Sequence, residues 1–363
     1  MNLRQHFIRS LIDWIFRRRS PALLIMRIGL ACLSLAFGVG WVLDVSFPFQ
    51  GGRIDVGLDS AGGTPIVLVW AAAAIGLVLI GAGFVWEIIR YSAEQRLLAR
   101  KKIVVVEARG LRDTGGAPLI ESLPSRFQGH REQVLVDLRQ RVKDGEIVAP
   151  EAALEDLVSL PADLKRRENG YDRRDLTLVY GGLTPVPFTF LTGVLIDDEG
   201  TAFILDWDRH AESWRELNGV DDGKRFRVDG LDNVPVGTRE VALAVSVSYC
   251  VNADDIRARL CDIPVIELVL EEGSPDCHWS AEKQRALGKQ FLEVTIALGN
   301  RGVHRIHLFL AAQNSIAFRF GRLYDKRNLP EVAVYQYKRS AVPPYPWSVL
   351  MPVCGIDRPT VIL

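Results

Sequence analysis

The chain has 363 residues, a hydrophobic fraction of 48%, and 44 basic against 44 acidic side chains. This length exceeds what one domain usually needs, so two or three structural units are expected. The balanced charge does not point to nucleic acid or to acidic substrates, and no DNA or RNA polymer is predicted as a partner. Five widely spaced cysteines without a CxxC pair argue against a disulfide framework or a structural zinc site, and favour a reducing compartment.

The first segment, residues 1–20, has the pattern of an amphipathic helix. Leu3, Phe7 and Leu11 share one helical face, and charged residues lie opposite. Two interpretations stay open for this helix. It either lies on the inner leaflet of a membrane or packs on the soluble part of the chain.

Two almost uncharged apolar runs follow, each longer than the about 20 residues that cross a bilayer as a helix. A cleaved signal peptide is the alternative for the first run, but a second run follows after a short loop. The predicted segments are a first transmembrane helix at residues 21–45, a short external loop at residues 46–63 and a second transmembrane helix at residues 64–90. Small residues would allow close helix packing, within the chain or between copies: Ala36, Gly40, Ala72, Gly76, Gly81 and Gly83.

Basic residues flank the two runs on their outer sides, whereas the loop between them contains only Arg53. Positively charged flanks stay in the cytoplasm during membrane insertion. The pattern therefore predicts a multi-pass membrane protein with both termini in the cytoplasm.

The remainder, residues 101–363, alternates strand-like and helix-like patterns, which predicts an α/β fold with mostly parallel strands. It also contains an internal repeat, which predicts two similar halves at residues 101–235 and 236–363. Aligning the stretch from Val179 with the stretch from Phe309 at a shift of 130 residues sets four pairs at equivalent positions: Gly182 with Ala312, Phe188 with Phe318, Phe190 with Phe320 and Arg209 with Arg339. Gly193 and Gly321 differ by 128, so the unit also needs a two-residue gap.

The segments that carry this repeat resemble a known family. "HLFLAAQNSIAFRFG" at residues 307–321, followed by "VAVYQYKR" and preceded by "GGLTPVPFTFLTG" and "WRELNG", is similar to the SAVED domain, a fusion of two CARF-like, Rossmann-like units in bacterial antiphage defence. The resemblance covers about residues 101–363. Gln313 stands where family members often carry proline. The fold expected is two N-terminal transmembrane helices followed by a pseudo-duplicated CARF-like α/β domain.

The resemblance implies a function. A SAVED domain binds a cyclic di- or trinucleotide second messenger made by a cognate nucleotidyltransferase of the CD-NTase type, and the ligand then drives formation of a homo-oligomer. With two transmembrane helices, the chain resembles a membrane effector of cyclic-oligonucleotide-based antiphage signalling (CBASS). Such an effector would sit in the bacterial inner membrane, permeabilise the lipid bilayer and kill the infected cell. No enzymatic activity, cofactor or metal is expected.

Twelve residues near strand ends and turns are predicted to contact the ligand. They are Thr184, Pro185, Phe188, Trp207, Arg209, Gln313, Asn314, Ser315, Phe318, Tyr337, Lys338 and Arg339. The polar members would bond phosphate or base edges, although Ser, Thr and Asn at such positions are also common helix caps. The aromatic members either stack on bases or pack in the core, and the basic members would neutralise phosphates.

Two alternatives to a gated effector remain. A membrane-anchored ring nuclease would use the carboxylates of Asp206 and Asp208 in "LDWDRH", but no partner motif accompanies them. An inert membrane scaffold would recruit another protein through residues 101–363. His304 and His307 are predicted to be strand histidines rather than metal ligands.

Overall fold

The computed structural model describes residues 21–37, 42–49, 52–59, 66–111, 118–143, 146–196, 200–356 and 358–363. The amphipathic helix predicted at residues 1–20 lies outside the described residues. The chain divides into two compact units, Met1–Leu98 and Ala99–Leu363.

The first unit combines two apolar helices with a β-hairpin. In chain order its elements are α1 (Pro21–Phe37), β1 (Val42–Phe49), β2 (Gly52–Asp59) and α2 (Ile66–Arg100). The two strands pair antiparallel, from Val42 opposite Asp59 to Phe49 opposite Gly52. Helix α1 is therefore shorter than the predicted first span, and residues 42–45 at the end of that span belong to β1. The β-branched and aromatic residues of β1, Val42, Val45, Phe47 and Phe49, favour this extended conformation.

Helix α2 is longer than predicted and continues past residue 90 to Arg100. Within the described residues, Val67–Arg100 is the segment long and apolar enough to cross a membrane as a helix, and α1 falls short of that length. Most large apolar side chains of α2 are exposed, which suits an apolar solvent and not water. They include Val67, Leu68, Trp70, Ile75, Leu77, Val78, Phe84, Val85, Ile88 and Ile89.

Helices α1 and α2 approach closely at glycines. A Cβ added at Gly29 would lie 2.7 Å from the Gly76 carbonyl oxygen, and one added at Gly76 would lie 2.7 Å from the Gly29 carbonyl oxygen. A Cβ at Gly83 would lie 2.9 Å from the carbonyl oxygen of Ala22, whereas Gly81 faces open space. Gly76 and Gly83 thus serve contact within the chain, as small residues do between membrane helices.

The second unit contains two mixed sheets with helices between and around them. Its first half consists of β3 (Lys102–Arg109), β4 (His130–Asp137), β5 (Val142–Lys143), β6 (Glu146–Ile147), α3 (Pro150–Val158), α4 (Leu160–Glu168), β7 (Leu176–Leu183), α5 (Val186–Ile196), β8 (Ala202–Asp208) and β9 (Ser213–Glu216). The main sheet has the order β4-β3-β7-β8-β9, with β9 antiparallel to β8 and the others parallel.

The second half repeats this plan with added edge strands. It consists of β10 (Phe226–Asp229), β11 (Glu240–Ser246), α6 (Ala253–Arg259), β12 (Val265–Leu270), α7 (Ala281–Asn300), β13 (Arg305–Ala311), α8 (Asn314–Leu323), β14 (Glu331–Gln336), β15 (Trp347–Leu350) and β16 (Thr360–Ile362). The order is β10-β12-β11-β13-β14-β15-β16, and β12, β11, β13 and β14 run parallel. The predicted duplication is confirmed: β4-β3-β7-β8-β9 corresponds to β12-β11-β13-β14-β15.

Two details of the predicted repeat need correction. Strand β10 pairs with β12, so the second half begins before Phe226 and not at residue 236. Strand pairing and helix starts place β7 and α5 on β13 and α8 at a shift of 128, while β8 lies on β14 at a shift of 130. The gap therefore follows the helix.

This shift changes three of the predicted equivalences. Phe190 corresponds to Phe318, and the pairings of Gly182 with Ala312, Phe188 with Phe318 and Phe190 with Phe320 are each wrong by two residues. Arg209 and Arg339 stay equivalent. Each helix has two phenylalanines two positions apart, so shifts of 128 and 130 residues both align phenylalanine with phenylalanine, and sequence alone could not fix the register.

The two halves meet where α5 packs on α8. A Cβ at Gly193 would overlap the Phe318 carbonyl oxygen, and one at Gly321 would overlap the Phe190 carbonyl oxygen. These reciprocal contacts mark a pseudo-twofold axis. Helix α5 is apolar on all sides because it is enclosed by both halves.

Candidate functional site

The candidate site lies at the carboxyl ends of the strands, where α8 begins. In α/β sheets this edge exposes loops and helix N-termini, which suit polar ligands. Here Asp206 at the end of β8 reaches the other half: its Oδ2 accepts a hydrogen bond from Ser315 N at 3.1 Å. Its Oδ1 accepts one from Trp207 N at 2.8 Å. The carboxylate is buried, with 4% of the residue exposed.

A chain of hydroxyl and amide groups links the two turns. Thr184 Oγ1 lies 2.7 Å from Thr189 Oγ1, which donates to Asn314 Oδ1 at 2.8 Å. This places the turn before α5 beside the first residue of α8. These hydrogen bonds connect the first half directly to the second half at this edge.

Gln313 precedes α8 with an extended backbone, φ −68° and ψ 157°. Proline could adopt this φ, so the backbone fits the proline that the family resemblance implies. The glutamine side chain adds contacts that proline lacks: Nε2 donates to the carbonyl oxygens of Ser274 at 3.0 Å and Pro275 at 2.8 Å. These two hydrogen bonds hold the connection between β12 and α7 against the turn that precedes α8.

His278 in that connection faces Asp206, with Nε2 at 3.5 Å from Oδ2. Burial lowers the pKa of His278 below its ordinary value, against the opposing charge of Asp206. Gln284 on α7 donates to His278 O at 2.7 Å and to Ser315 Oγ at 2.8 Å. The neutral imidazole of His278 and the carboxylate of Asp206 thus lie buried side by side in the site.

In each half, an aromatic residue and an arginine two positions later lie at the end of an equivalent strand. Trp207 is the second-to-last residue of β8 and Arg209 directly follows the strand, whereas Tyr337 and Arg339 both follow β14. Each pair is related by the shift of 130. Both aromatic rings rest edge-on against a second ring 5.4 Å away, Trp207 on Trp214 and Tyr337 on Tyr345. Both arginines are exposed, Tyr337 is 50% exposed, and Trp207 is half-buried.

Lys338 lies between Tyr337 and Arg339 and is half-buried. Its ammonium pairs with Glu146 of β6, and Ser340 Oγ donates to the same carboxylate at 3.2 Å. The Lys338 hydrogen bond lowers the pKa of Glu146. Lys338 therefore joins the two halves, and its charge is largely neutralised by Glu146.

The twelve predicted residues fall into two groups. Five are buried and hold the halves together: Thr184, Pro185, Phe188, Ser315 and Phe318. Phe188 packs on Trp347, and Phe318 stacks on Tyr180 with centroids 3.6 Å apart. The remaining residues reach the surface in whole or part: Trp207, Arg209, Gln313, Asn314, Tyr337, Lys338 and Arg339.

The sequence did not predict that four residues hold segments of the site together through hydrogen bonds and close contacts: Asp206, Thr189, His278 and Gln284. One signal was present for Asp206: Gln313 is not a favoured cap, so α8 needed an acceptor from elsewhere. Trp279 was also missed. The Arg215 guanidinium lies 4.5 Å from its ring centroid, and His278 packs on it at 4.3 Å.

The carboxylates considered for a nuclease serve as acceptors for backbone groups. Asp208 Oδ1 accepts from His210 N at 2.9 Å and from Ala211 N at 3.1 Å, which lowers its pKa. Among the described residues, no group of three or more His, Cys, Asp or Glu is placed to hold a metal ion. His307 has a partner at each ring nitrogen, Tyr335 Oη at 3.0 Å and Glu240 Oε2 at 3.1 Å, as predicted for a strand histidine.

Two family models match the chain. One, described as the SMODS-associated and fused to various effectors sensor domain (SAVED), matches residues 160–351. The chain belongs to the SAVED family. The other, described as the SAVED-fused 2TM effector domain, matches residues 1–154. The two models meet within the first half of the second unit, whereas the structural boundary of the SAVED unit lies at Leu98 and Ala99.

Solved structures similar to this SAVED chain include Cap4 SAVED/CARF-domain receptors. The receptor of Acinetobacter baumannii with the cyclic trinucleotide 2′3′3′-cAAA is 13% identical, with TM-score 0.45 and coverage of 75% of this chain and 56% of that one. With 3′3′3′-cAAA the values are 14%, 0.45, 77% and 58%. The Moraxella osloensis receptor gives 11%, 0.44, 79% and 57%. The chain thus spans just over half the length of these receptors. No curated protein matches it.

Proposed function

We propose that this SAVED protein is a membrane effector of bacterial cyclic-oligonucleotide antiphage signalling (CBASS). Its second unit would bind a cyclic di- or trinucleotide made by a cognate CD-NTase. Its family membership and the match to a SAVED-fused 2TM effector domain support the class of protein. The observation that carries the ligand class is the pair of aromatic-arginine sets at pseudo-equivalent strand ends.

The chemistry of these sets suits a cyclic oligonucleotide. Trp207 and Tyr337 offer ring faces on which bases stack, and such stacking tolerates any base. Arg209 and Arg339 offer guanidinium forks for phosphate. Asn314 adds an amide for a base edge or phosphate oxygen. A ring of repeated nucleotides presents bases and phosphates in alternation, which two related half-sites can bind together.

Permeabilisation of the bilayer would require several copies of the chain to assemble. One chain contributes α2 and the shorter α1, too few helices to enclose a pore, so copies must gather before the bilayer is permeabilised. A ligand that binds the assembled state more tightly shifts the equilibrium towards it. The protein would be a multi-pass protein of the bacterial inner membrane with both termini in the cytoplasm. It would act without catalysis, and its death-inducing output would be abortive infection.

The first experiment titrates the full chain in detergent with 2′3′3′-cAAA, 3′3′3′-cAAA, cyclic di-AMP and cyclic di-GMP. Binding is followed by calorimetry, particle mass by light scattering, and the recovered nucleotide by chromatography. We expect saturable binding of at least one probe, a rise in mass, and unchanged nucleotide. Arg209→Ala with Arg339→Ala should weaken binding by more than about tenfold.

Arg227→Ala with Arg257→Ala is the charge-matched control, because both arginines are exposed and paired, with Asp229 and Asp254. It should leave binding unchanged. Cleaved nucleotide would favour the ring nuclease, and binding without a rise in mass would favour a scaffold whose output lies in another protein. No binding of any probe would contradict the proposal.

A further inference from the structure

Asp206, which is not one of the twelve predicted residues, contacts three parts of the candidate site. Its two carboxylate oxygens accept backbone hydrogen bonds from Trp207 in the first half and from Ser315 in the second. The same carboxylate lies 3.5 Å from His278 in the connection between β12 and α7. One side chain therefore touches all three segments that border this side of the site.

The bond to Ser315 supplies what α8 lacks locally. The first N–H groups of a helix have no partner within the helix, and a side-chain acceptor normally satisfies one of them. In the described part of the chain, Gln313 at the cap position makes no such bond. Asp206 provides the acceptor from the opposite half, and its negative charge suits the positive end of α8.

The hydrogen bond that Asp206 accepts from Trp207 N fixes the end of β8 in the first half. Because the two oxygens belong to one planar carboxylate, the backbone at Trp207 and the first turn of α8 keep a set separation. Trp207, Arg209 and Asn314 therefore form one composite half-site whose parts come from both halves of the chain.

The half-site of Tyr337 and Arg339 has no equivalent of the Asp206 carboxylate, which we call the brace because it accepts hydrogen bonds from the backbone of both halves. Gln336 occupies the position equivalent to Asp206, and its Nε2 donates to Tyr337 O at 2.9 Å. Its Oε1 is buried and, within the described residues, has no hydrogen-bond partner. Ser315 corresponds to Pro187, which has no N–H to donate. The brace cannot form at Tyr337 and Arg339, so the two half-sites differ in preorganisation.

We infer that Asp206 is the positioning residue of the candidate site, which holds Trp207 and the Asn314 turn in their binding geometry through Ser315 N–H. The inference rests on the proposed function for its effect on binding, but the brace itself is a property of the unliganded protein. Preorganised groups bind more tightly because less ordering is needed on association.

Backbone amide exchange of the full chain in detergent tests the brace without ligand. Asp206→Ala should speed exchange at residues 207–208 and, in the other half, at residues 314–317, while β3 and β11 stay protected. Asp206→Asn keeps the volume and one acceptor oxygen, so it should free one of the two segments only. Faster exchange confined to residues 207–208 would overturn the inference, as would global loss of protection in both variants.

A double-mutant cycle tests the link to binding, with the cyclic triadenylates as probes. Ser315→Pro removes the N–H at a helix position that tolerates proline and copies Pro187. Ser315→Ala is its control, because it loses the same hydroxyl contact to Gln284 but keeps the N–H. Asp206→Ala and Ser315→Pro should each weaken binding about tenfold relative to wild type and to Ser315→Ala. The double variant should lose no more than either single one.

Losses that multiply in the double variant would show that Asp206 does not act through Ser315 and would overturn the inference. Unchanged affinity in Asp206→Ala would overturn it as well. If wild type binds neither probe, the proposed function fails for these ligands, and the exchange experiment still decides whether Asp206 braces the two halves.

Discussion

The two halves of the SAVED unit share a plan but differ in chemistry. Both have the same strand order, the same central helix and an aromatic-arginine set at the end of the equivalent strand. Gly193 and Gly321 are retained in both halves because each faces backbone of the other. Asp206 and Gln336, by contrast, differ, as do Pro187 and Ser315.

The difference follows from what surrounds each position. A side chain at either glycine would collide with a carbonyl oxygen, which no rotamer change relieves. Polar groups at strand ends can be satisfied in several ways, by backbone, by another side chain or by ligand. Close packing therefore preserves the symmetry of the helices, while the site is free to become asymmetric.

The largest expected effect comes from disrupting the reciprocal contact of Gly193 and Gly321 between α5 and α8. Gly321→Ala and Gly193→Ala should each destabilise the SAVED unit by more than about 3 kcal/mol, because the added methyl group overlaps backbone that cannot move alone. Denaturant unfolding of the full chain in detergent measures this. Gly200→Ala is the control, since its Cβ would meet nothing within 4 Å. A mild effect at one glycine only would show that the two contacts are not equivalent.

An intermediate effect distinguishes the two aromatic residues. Trp207→Ala and Tyr337→Ala should each weaken cyclic oligonucleotide binding about tenfold, because each removes one stacking surface. Trp207→Ala should also lower stability, since Trp207 is half-buried against Trp214, whereas the half-exposed Tyr337 should cost little. Calorimetric titration and thermal unfolding of the same variants separate the two effects.

The conservative variants Trp207→Phe and Tyr337→Phe keep an aromatic face and should retain most of the affinity. Equal losses for the phenylalanine and alanine variants would argue that these rings do not stack on bases.

The smallest expected effect is a pH dependence of stability that comes from two buried histidines. Burial lowers the pKa of His278, so the folded protein holds this imidazole neutral, while the unfolded chain takes up a proton near its ordinary pKa of about 6.5. Stability should be full above that value and decline as pH falls below it. His307, also with a pKa lowered by burial, adds a similar contribution.

Unfolding free energies measured from pH 8 to pH 5 test this. His278→Gln should flatten part of the decline, and His307→Gln should flatten the rest. The carboxylates whose pKa is lowered, such as Asp221 at about 2, lose their contribution only below about pH 4 and do not interfere. An unchanged slope in His278→Gln would mean that this imidazole is not buried from solvent in the folded protein.

The sequence predicted most of the architecture of the second unit, because strand and helix periodicities are local and were repeated twice. It did not determine the register of the repeat, since each central helix has two phenylalanines two positions apart, and shifts of 128 and 130 residues both align phenylalanine with phenylalanine. The first predicted span was also too long. Apolar content alone does not show where a membrane helix ends and a strand begins: Val42 and Leu43 continue the apolar run, and their pairing with β2 places them in a strand.

For the site, the sequence predicted aromatic and basic residues near the strand ends as ligand contacts, because these follow directly from position and residue type. The structure places them wholly or partly at the surface, and their contact with ligand stays a prediction. It placed Phe188 and Phe318 in the ligand site, whereas both lie in the contact between halves. Family, α/β class and duplication were thus determined by the sequence alone. The role of Asp206 was decided only by tertiary structure, because its partner Ser315 is 109 residues away and comes within hydrogen-bond distance when α5 packs on α8.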